Sequence, residues 1–151
     1  MAPRLNRGGD RGIEHFRLFA RYQEGRHPGG DMALMGFYDF RGMVEDSPVD
    51  TFIVEFRDKK GDLIAACLTD SLCDGLSAVY SFFDPDSNRH SLGTFMILWL
   101  VEAARELNLP YVYLGYWIPE SRKMRYKAAF TPLEYFTPSG WQEMKPGTQT
   151  T

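Results

Sequence analysis

Cysteine is scarce: the 151 residues hold two, Cys67 and Cys73. They form no CxxC pair and have no clustered histidine beside them, which excludes a disulfide scaffold and a Cys/His zinc site. Long apolar runs are missing too. The longest, Phe95-Met-Ile-Leu-Trp-Leu-Val101, falls far short of the roughly 20 residues that a membrane-spanning helix needs. No basic-then-apolar signal segment opens the chain, so no membrane partner is expected and a cytoplasmic location is the default. Nor is there an excess of one charge: 17 Lys and Arg against 20 Asp and Glu leave a net charge of −3, unlike the basic body of a non-specific nucleic-acid binder. What is present is 44% hydrophobic and 15% aromatic residues in a chain of one domain's length, enough to build a core and to exclude disorder.

The charge that exists is arranged in blocks. Residues 1–27 carry six arginines (4, 7, 11, 17, 21 and 26) against Asp10, Glu14 and Glu24. Residues 39–74 hold nine acids against Arg41, Arg57, Lys59 and Lys60. Residues 121–133 contain Arg122, Lys123, Arg125 and Lys127 and no acid. A single block of this kind is usually a solvated face, whereas two basic blocks around an acidic middle point to an anionic ligand.

Residues 1–12 are rich in Arg, Gly and Asn without periodicity and read as a flexible basic arm. Ile13, Phe16, Phe19 and Gln23 recur at helical spacing, predicting a helix over 13–24 that stops at Gly25, before a Pro28-Gly-Gly30 turn. Residues 52–56 and 63–68 predict two strands joined by a charged, Gly-containing turn. Asp74-Gly75 precedes a third strand over 76–83, closed by Asp84-Pro85. Leu92, Phe95, Met96, Trp99, Ala103 and Leu107 predict a long helix stopped by Asn108 and Pro110. A strand over 111–117, a short basic helix over 121–130, an extended piece over 133–136 and a loose tail over 142–151 complete the reading, with one domain spanning 13–141. This order is α+β with a mixed central sheet flanked by helices, matching the N-acetyltransferase (GNAT) type of acyltransferase fold.

Seven segments in order carry a more specific resemblance: Arg26-His-Pro-Gly-Gly-Asp-Met32, Val54-Glu-Phe-Arg-Asp58, Asp74-Gly-Leu-Ser-Ala-Val-Tyr80, Phe82-Phe-Asp-Pro85, Ser91-Leu-Gly-Thr94, Tyr111-Val-Tyr-Leu-Gly-Tyr-Trp-Ile-Pro119 and Lys123-Met-Arg-Tyr-Lys127. From about Phe16 to Trp141 the chain resembles the C-terminal catalytic half of the aminoacyl-tRNA–protein transferases. That resemblance implies transfer of an amino acid from tRNA to a protein N-terminus. The bacterial branch it looks closest to transfers leucine to proteins beginning with Asp or Glu, and a related branch transfers arginine to the same ends; both mark the protein for degradation through the N-degron (N-end rule) pathway. The family also carries an N-terminal domain with a cysteine-bearing segment, whereas only the Arg-rich arm precedes Phe16 here. Aminoacyl-tRNA is then the co-substrate and no separate cofactor or metal is implied. An acetyl-CoA-dependent N-acetyltransferase and a non-catalytic tRNA-binding remnant are the rival readings.

Attack of an α-amine on an aminoacyl ester needs positioning more than a strong nucleophile, and no Ser/His/Asp or Cys/His set stands out. Under this reading Arg26, with Arg57 as a second candidate, pairs with the acceptor's carboxylate, and Arg57 has Glu55 and Asp58 as alternative partners. His27 or Asp31 takes the amine's proton. The Arg89-His-Ser-Leu-Gly-Thr94 turn, with Arg89, Ser91, Gly93 and Thr94, contacts the donor's phosphate at a helix start, or is an ordinary cap. Arg122, Lys123 and Lys127 bind tRNA phosphates, or form a solvated basic helix on which Lys123 and Lys127 share a face. Tyr126 stacks on the terminal adenine or donates a hydrogen bond, or is a core-edge tyrosine. Tyr111, Tyr113, Gly115 and Tyr116 line a pocket for the aminoacyl side chain, or fill the core.

Overall fold

The computed structural model describes residues 2–6, 12–87 and 91–145, and these fall in two compact units, Met1–Gly115 and Tyr116–Thr151. In the first, strand β1 (Ala2–Asn6) is followed by helices α1 (Ile13–Arg26) and α2 (Phe37–Glu45), strands β2 (Asp50–Arg57), β3 (Leu63–Ser71) and β4 (Gly75–Phe83), helix α3 (Leu92–Glu106) and strand β5 (Tyr111–Tyr113). The sheet order is β1-β2-β3-β4-β5, antiparallel except for the parallel β4–β5 pair that α3 connects.

Alternation along the central strands divides the apolar residues between two faces. Phe52, Val54 and Phe56 of β2, Ala65 and Cys67 of β3 and Leu76 of β4 pack against Met96, Leu100 and Ala104 of α3. Ile53, Ala66, Leu68 and Phe82 lie on the other face with Leu18 and Phe19 of α1 and Phe40 and Val44 of α2. The result is the expected mixed sheet with helices on both faces, an α+β fold of the N-acetyltransferase-like type.

One irregularity in β4 decides where its end points. Leu68 pairs with Tyr80 but Thr69 pairs with Ala78, so Val79 is an extra residue, a β-bulge. Upstream, Leu76 and Ala78 face α3; downstream, Tyr80 and Phe82 face α1 and α2. Helix α3 ends as its sequence predicts: Asn108 takes a left-handed conformation (φ 56°) and the Leu109 amide donates to the Ala104 carbonyl at 2.8 Å.

Several expectations are corrected. The arm over 1–12 contains β1, because its backbone completes the free edge of β2 through five residue pairs, from Ala2↔Arg57 to Asn6↔Ile53; residues 7–11 lie outside the described ones. Helix α2 and a 3-10 turn at Asp31–Leu34 stand in addition to the predicted order. The strand expected over 111–117 ends at Tyr113. The second unit has no α-helix over 121–130 but turns and a 3-10 segment, Arg125–Ala129. A short helix is marginal alone, and Lys123 and Lys127 would set like charges four residues apart. Strands β6 (Glu134–Thr137) and β7 (Gly140–Glu143) form an antiparallel hairpin, so the first residues of the expected tail are ordered.

Candidate functional site

In the first unit, the last two turns of α1 are fastened along the end of β4. Arg21 donates to Asp84 at 2.7 Å and to Asp86 at 3.1 Å. The buried Gln23 side-chain amide donates to the Tyr80 hydroxyl at 2.6 Å. The Tyr22 ring lies 4.9 Å from that of Phe83 and 5.6 Å from that of His27, and the Arg26 guanidinium sits over Phe83 at 5.1 Å. Gly25 is required there, since a β-carbon on it would come within 2.9 Å of Pro85 Cβ.

The turn that follows carries the predicted proton acceptors. The His27 amide caps α1 by donating to Gln23 O, and the Gly30 amide donates back to His27 O. Gly29 has φ 76°, open to glycine at little cost. Asp31 then begins the 3-10 turn, exposed to solvent. Arg26, His27 and Asp31 are thus gathered on one turn at the end of β4.

Beside them the sheet opens. Only Gly75, Leu76 and Ser77 of the nine residues of β4 pair with β5, so β4 runs on from Ala78 to Phe83 without β5 alongside. The corner that fixes this divergence is Asp74-Gly75: the Asp74 carbonyl accepts the Tyr111 amide at 3.2 Å, and its carboxylate accepts the Tyr113 hydroxyl at 2.9 Å. That hydrogen bond holds the Tyr113 pKa above the usual phenol value. A β-carbon at Gly75 would lie 2.6 Å from Tyr111 O. Tyr111 and Tyr113 have ring centroids 6.0 Å apart. Gly115 lies past the strand at φ 73° and is not a bulge within β5.

At the start of α3, Ser91 is left-handed (φ 68°) and its carbonyl accepts the Phe95 amide at 2.9 Å. The amides of Leu92, Gly93 and Thr94 therefore precede the first intrahelical bond, an arrangement that favours an anion. Arg89 lies outside the described residues.

Arg57 is placed differently from the other candidates. Its Nη1 and Nη2 donate to the two carboxylate oxygens of Glu14 at 2.9 and 2.8 Å, its Nε donates to Glu55 at 2.9 Å, and Gly61 O accepts from Nη1 at 3.0 Å. These bonds raise the Arg57 pKa above its usual value and lower that of Glu14. Glu55 is buried and also bonds His15 Nε2 at 2.9 Å. Arg57 is thus tied into a structural network that joins α1 to β2, whereas Arg26 lies over the Phe83 ring at the end of β4.

In the second unit, Arg122, Lys123 and Arg125 are exposed. Lys127 Nζ donates to the Tyr116 carbonyl at 2.9 Å, and partial burial lowers its pKa. Tyr116 is 91% and Tyr126 36% exposed. Sequence reasoning misses the Gln23–Tyr80 pair and the His15–Glu55–Arg57–Glu14 network, although one signal exists: Gln23 is an amide on the apolar stripe of α1.

The fold defines the class, an α+β architecture of the N-acetyltransferase-like type. A BH1408 protein tetramutant from Bacillus halodurans is similar in structure with a TM-score of 0.58 and 11% identity, covering 100% of this chain and 97% of that one. Residues 14–137 match the family described as "Arginine-tRNA-protein transferase, C terminus", and the chain belongs to that family. It is similar to the aspartate/glutamate leucyltransferase of Paramagnetospirillum magneticum, 71% identical over 134 residues, covering 89% of this chain and 55% of that protein. The protein of the same name from Rhodospirillum rubrum is 58% identical over 132 residues, covering 85% and 53%. The chain thus spans about half the length of the curated relatives it matches.

Proposed function

We propose that this chain is the acyltransferase half of an enzyme that transfers leucine from aminoacyl-tRNA to the α-amine of proteins beginning with Asp or Glu, tagging them for degradation. The observation that carries this reading is the family match over residues 14–137, supported by relatives named as aspartate/glutamate leucyltransferases. In this assignment Arg26 pairs with the acceptor carboxylate, and His27 or Asp31 receives the proton that the attacking amine loses. The new amide bond forms as the ester bond to the tRNA ribose breaks, and the ribose oxygen leaves with a proton. The α3 start, with Ser91, Gly93 and Thr94, takes the donor's phosphate. Arg122, Lys123, Lys127 and Tyr126 hold the acceptor end of the RNA. Tyr111, Tyr113 and Gly115 shape the aminoacyl pocket. No helix of the described residues is long and apolar enough to cross a membrane.

The test is transfer of labelled leucine, and in parallel arginine, from charged tRNA to peptides starting with Asp, Glu or Ala. Leucine on the Asp and Glu peptides alone bears the proposal out. Arginine on the same peptides identifies the arginyl branch, acetyl transfer from acetyl-CoA the N-acetyltransferase reading, and tRNA binding without transfer a binding module.

A further inference from the structure

A strand inside a sheet has its main chain satisfied on both sides, whereas a strand with one neighbour leaves a row of unpaired N–H and C=O groups. Strand β4 changes from the first case to the second along its length. Gly75 to Ser77 lie between β3 and β5, but from Ala78 to Phe83 the only sheet neighbour is β3.

The register says which groups are left over. The Asp84 amide donates to the Ile64 carbonyl of β3 at 2.9 Å, so by the alternation of an antiparallel ladder the main chains of Phe82 and Tyr80 also turn toward β3. Those of Ser81 and Phe83 turn away from it. The side chains agree: the Ser81 hydroxyl donates to Cys67 Sγ at 3.4 Å, the close approach of a cross-strand pair that exchanges no main-chain bonds. Among the described residues no main-chain group bonds Ser81 or Phe83 on the outer side.

This edge is built to be paired. Charges and proline, the usual protection of a free edge, are missing from Ala78-Val-Tyr-Ser-Phe-Phe83, and the bulge at Val79 ends before the outward residues begin. The opposite edge of the sheet, that of β2, is already covered by β1. Only an extended polypeptide offers N–H and C=O groups at strand spacing, and of the two substrates proposed above the acceptor alone is one. The edge also ends where the acceptor is expected, since the Tyr22 ring lies 4.9 Å from Phe83 and 5.6 Å from His27.

We propose that the acceptor polypeptide, beyond its first residue, adds as a short strand to the free edge of β4 and exchanges main-chain hydrogen bonds with Ser81 and Phe83. This rests on the transferase reading above and deepens it. Pairing through the main chain lets one site take proteins that share only their first residue.

The experiment is calorimetric titration of the chain with Asp-starting hexapeptides methylated on one amide nitrogen at a time, from the second residue to the fifth. A paired strand turns alternate amides toward its neighbour, so methylation at every second position should cost about fivefold in affinity, the size of one hydrogen bond. The positions between should tolerate it. Ser81→Pro removes the outward amide proton and no ladder bond to β3, and should lose about fivefold toward the unmethylated peptide. Ser81→Ala keeps that amide and should bind as the wild type does. If a urea titration shows that the proline variant does not fold, the methylation series decides alone. The proposal is overturned if no Asp-starting peptide binds, if methylation is tolerated throughout or penalised equally at successive positions, or if Ser81→Ala and a folded Ser81→Pro behave alike. It is overturned too if sedimentation shows the edge occupied by a second copy, as a dimer that Ser81→Pro dissolves. The leucine-transfer assay separates the two ideas. Transfer that ignores methylation at every position removes only the added strand, whereas alternation in binding without transfer removes only the transferase reading.

Discussion

Arginines 26 and 57 are separated by their neighbours and not by their chemistry. Arg57 has its guanidinium occupied by Glu14, Glu55 and Gly61, while Arg26 rests on an aromatic ring at the end of β4. Arg26→Ala should therefore raise KM for Asp and Glu peptides about tenfold while leaving tRNA affinity unchanged, as read by steady-state transfer and by filter binding. Removing a partner from the Arg57 network should act on folding. Glu55→Ala leaves His15 buried and Arg57 partly buried without their shared carboxylate, and should lower unfolding free energy by about 3 kcal/mol in a urea titration. Glu14 titrates with the opposite sign to a stabilising cation. Its pKa is lowered in the folded state by Arg57, so its contribution is present above the ordinary carboxylate value and is lost as pH falls through the folded value. Glu14 is half exposed, so the effect is small, and Glu14→Gln should flatten this acid limb in pH-dependent urea midpoints.

At the scale of elements, the corner between β3 and β4 sets how far β5 follows β4. Gly75→Ala would drive a methyl against the Tyr111 carbonyl, which cannot move without breaking the three-residue β4–β5 ladder. About 1–3 kcal/mol of stability should be lost, with a fall in transfer rate larger than that of Gly29→Ala, whose added carbon meets nothing within 4 Å. Periodicity makes α1 and α3 legible in the sequence, because each shows one apolar face to the core, and the three central strands are legible as short β-rich runs with apolar residues on both faces. It does not reveal β1, which has no alternation of its own and is ordered by the backbone of β2. It misleads over 121–130, where cations at helical spacing meet no acid to support a helix. The turn holding Arg26, His27 and Asp31 is legible from local chemistry. The Gln23–Tyr80 pair is not, since its members are 57 residues apart and only the fold brings them together.

For the molecule as a whole, a net charge of −3 means that any affinity for RNA comes from a local block and should be strongly salt-sensitive. tRNA binding should fall steeply with added salt, and neutralising Lys123 should reduce the slope of log K against log salt by about one, equally for every aminoacyl donor. The preference for Asp over Asn peptides should weaken with salt far less steeply, because it rests on a single exposed charge pair at Arg26 and not on a row of phosphates. The bulge at Val79 has its own consequence for how this architecture can vary. Val79 is the residue that the ladder does not need: without it Ala78 and Tyr80 would be consecutive, still opposite Thr69 and Leu68 and still on opposite faces. The side that Tyr80 and Phe82 show therefore depends on their register with β3 and tolerates loss of the bulge.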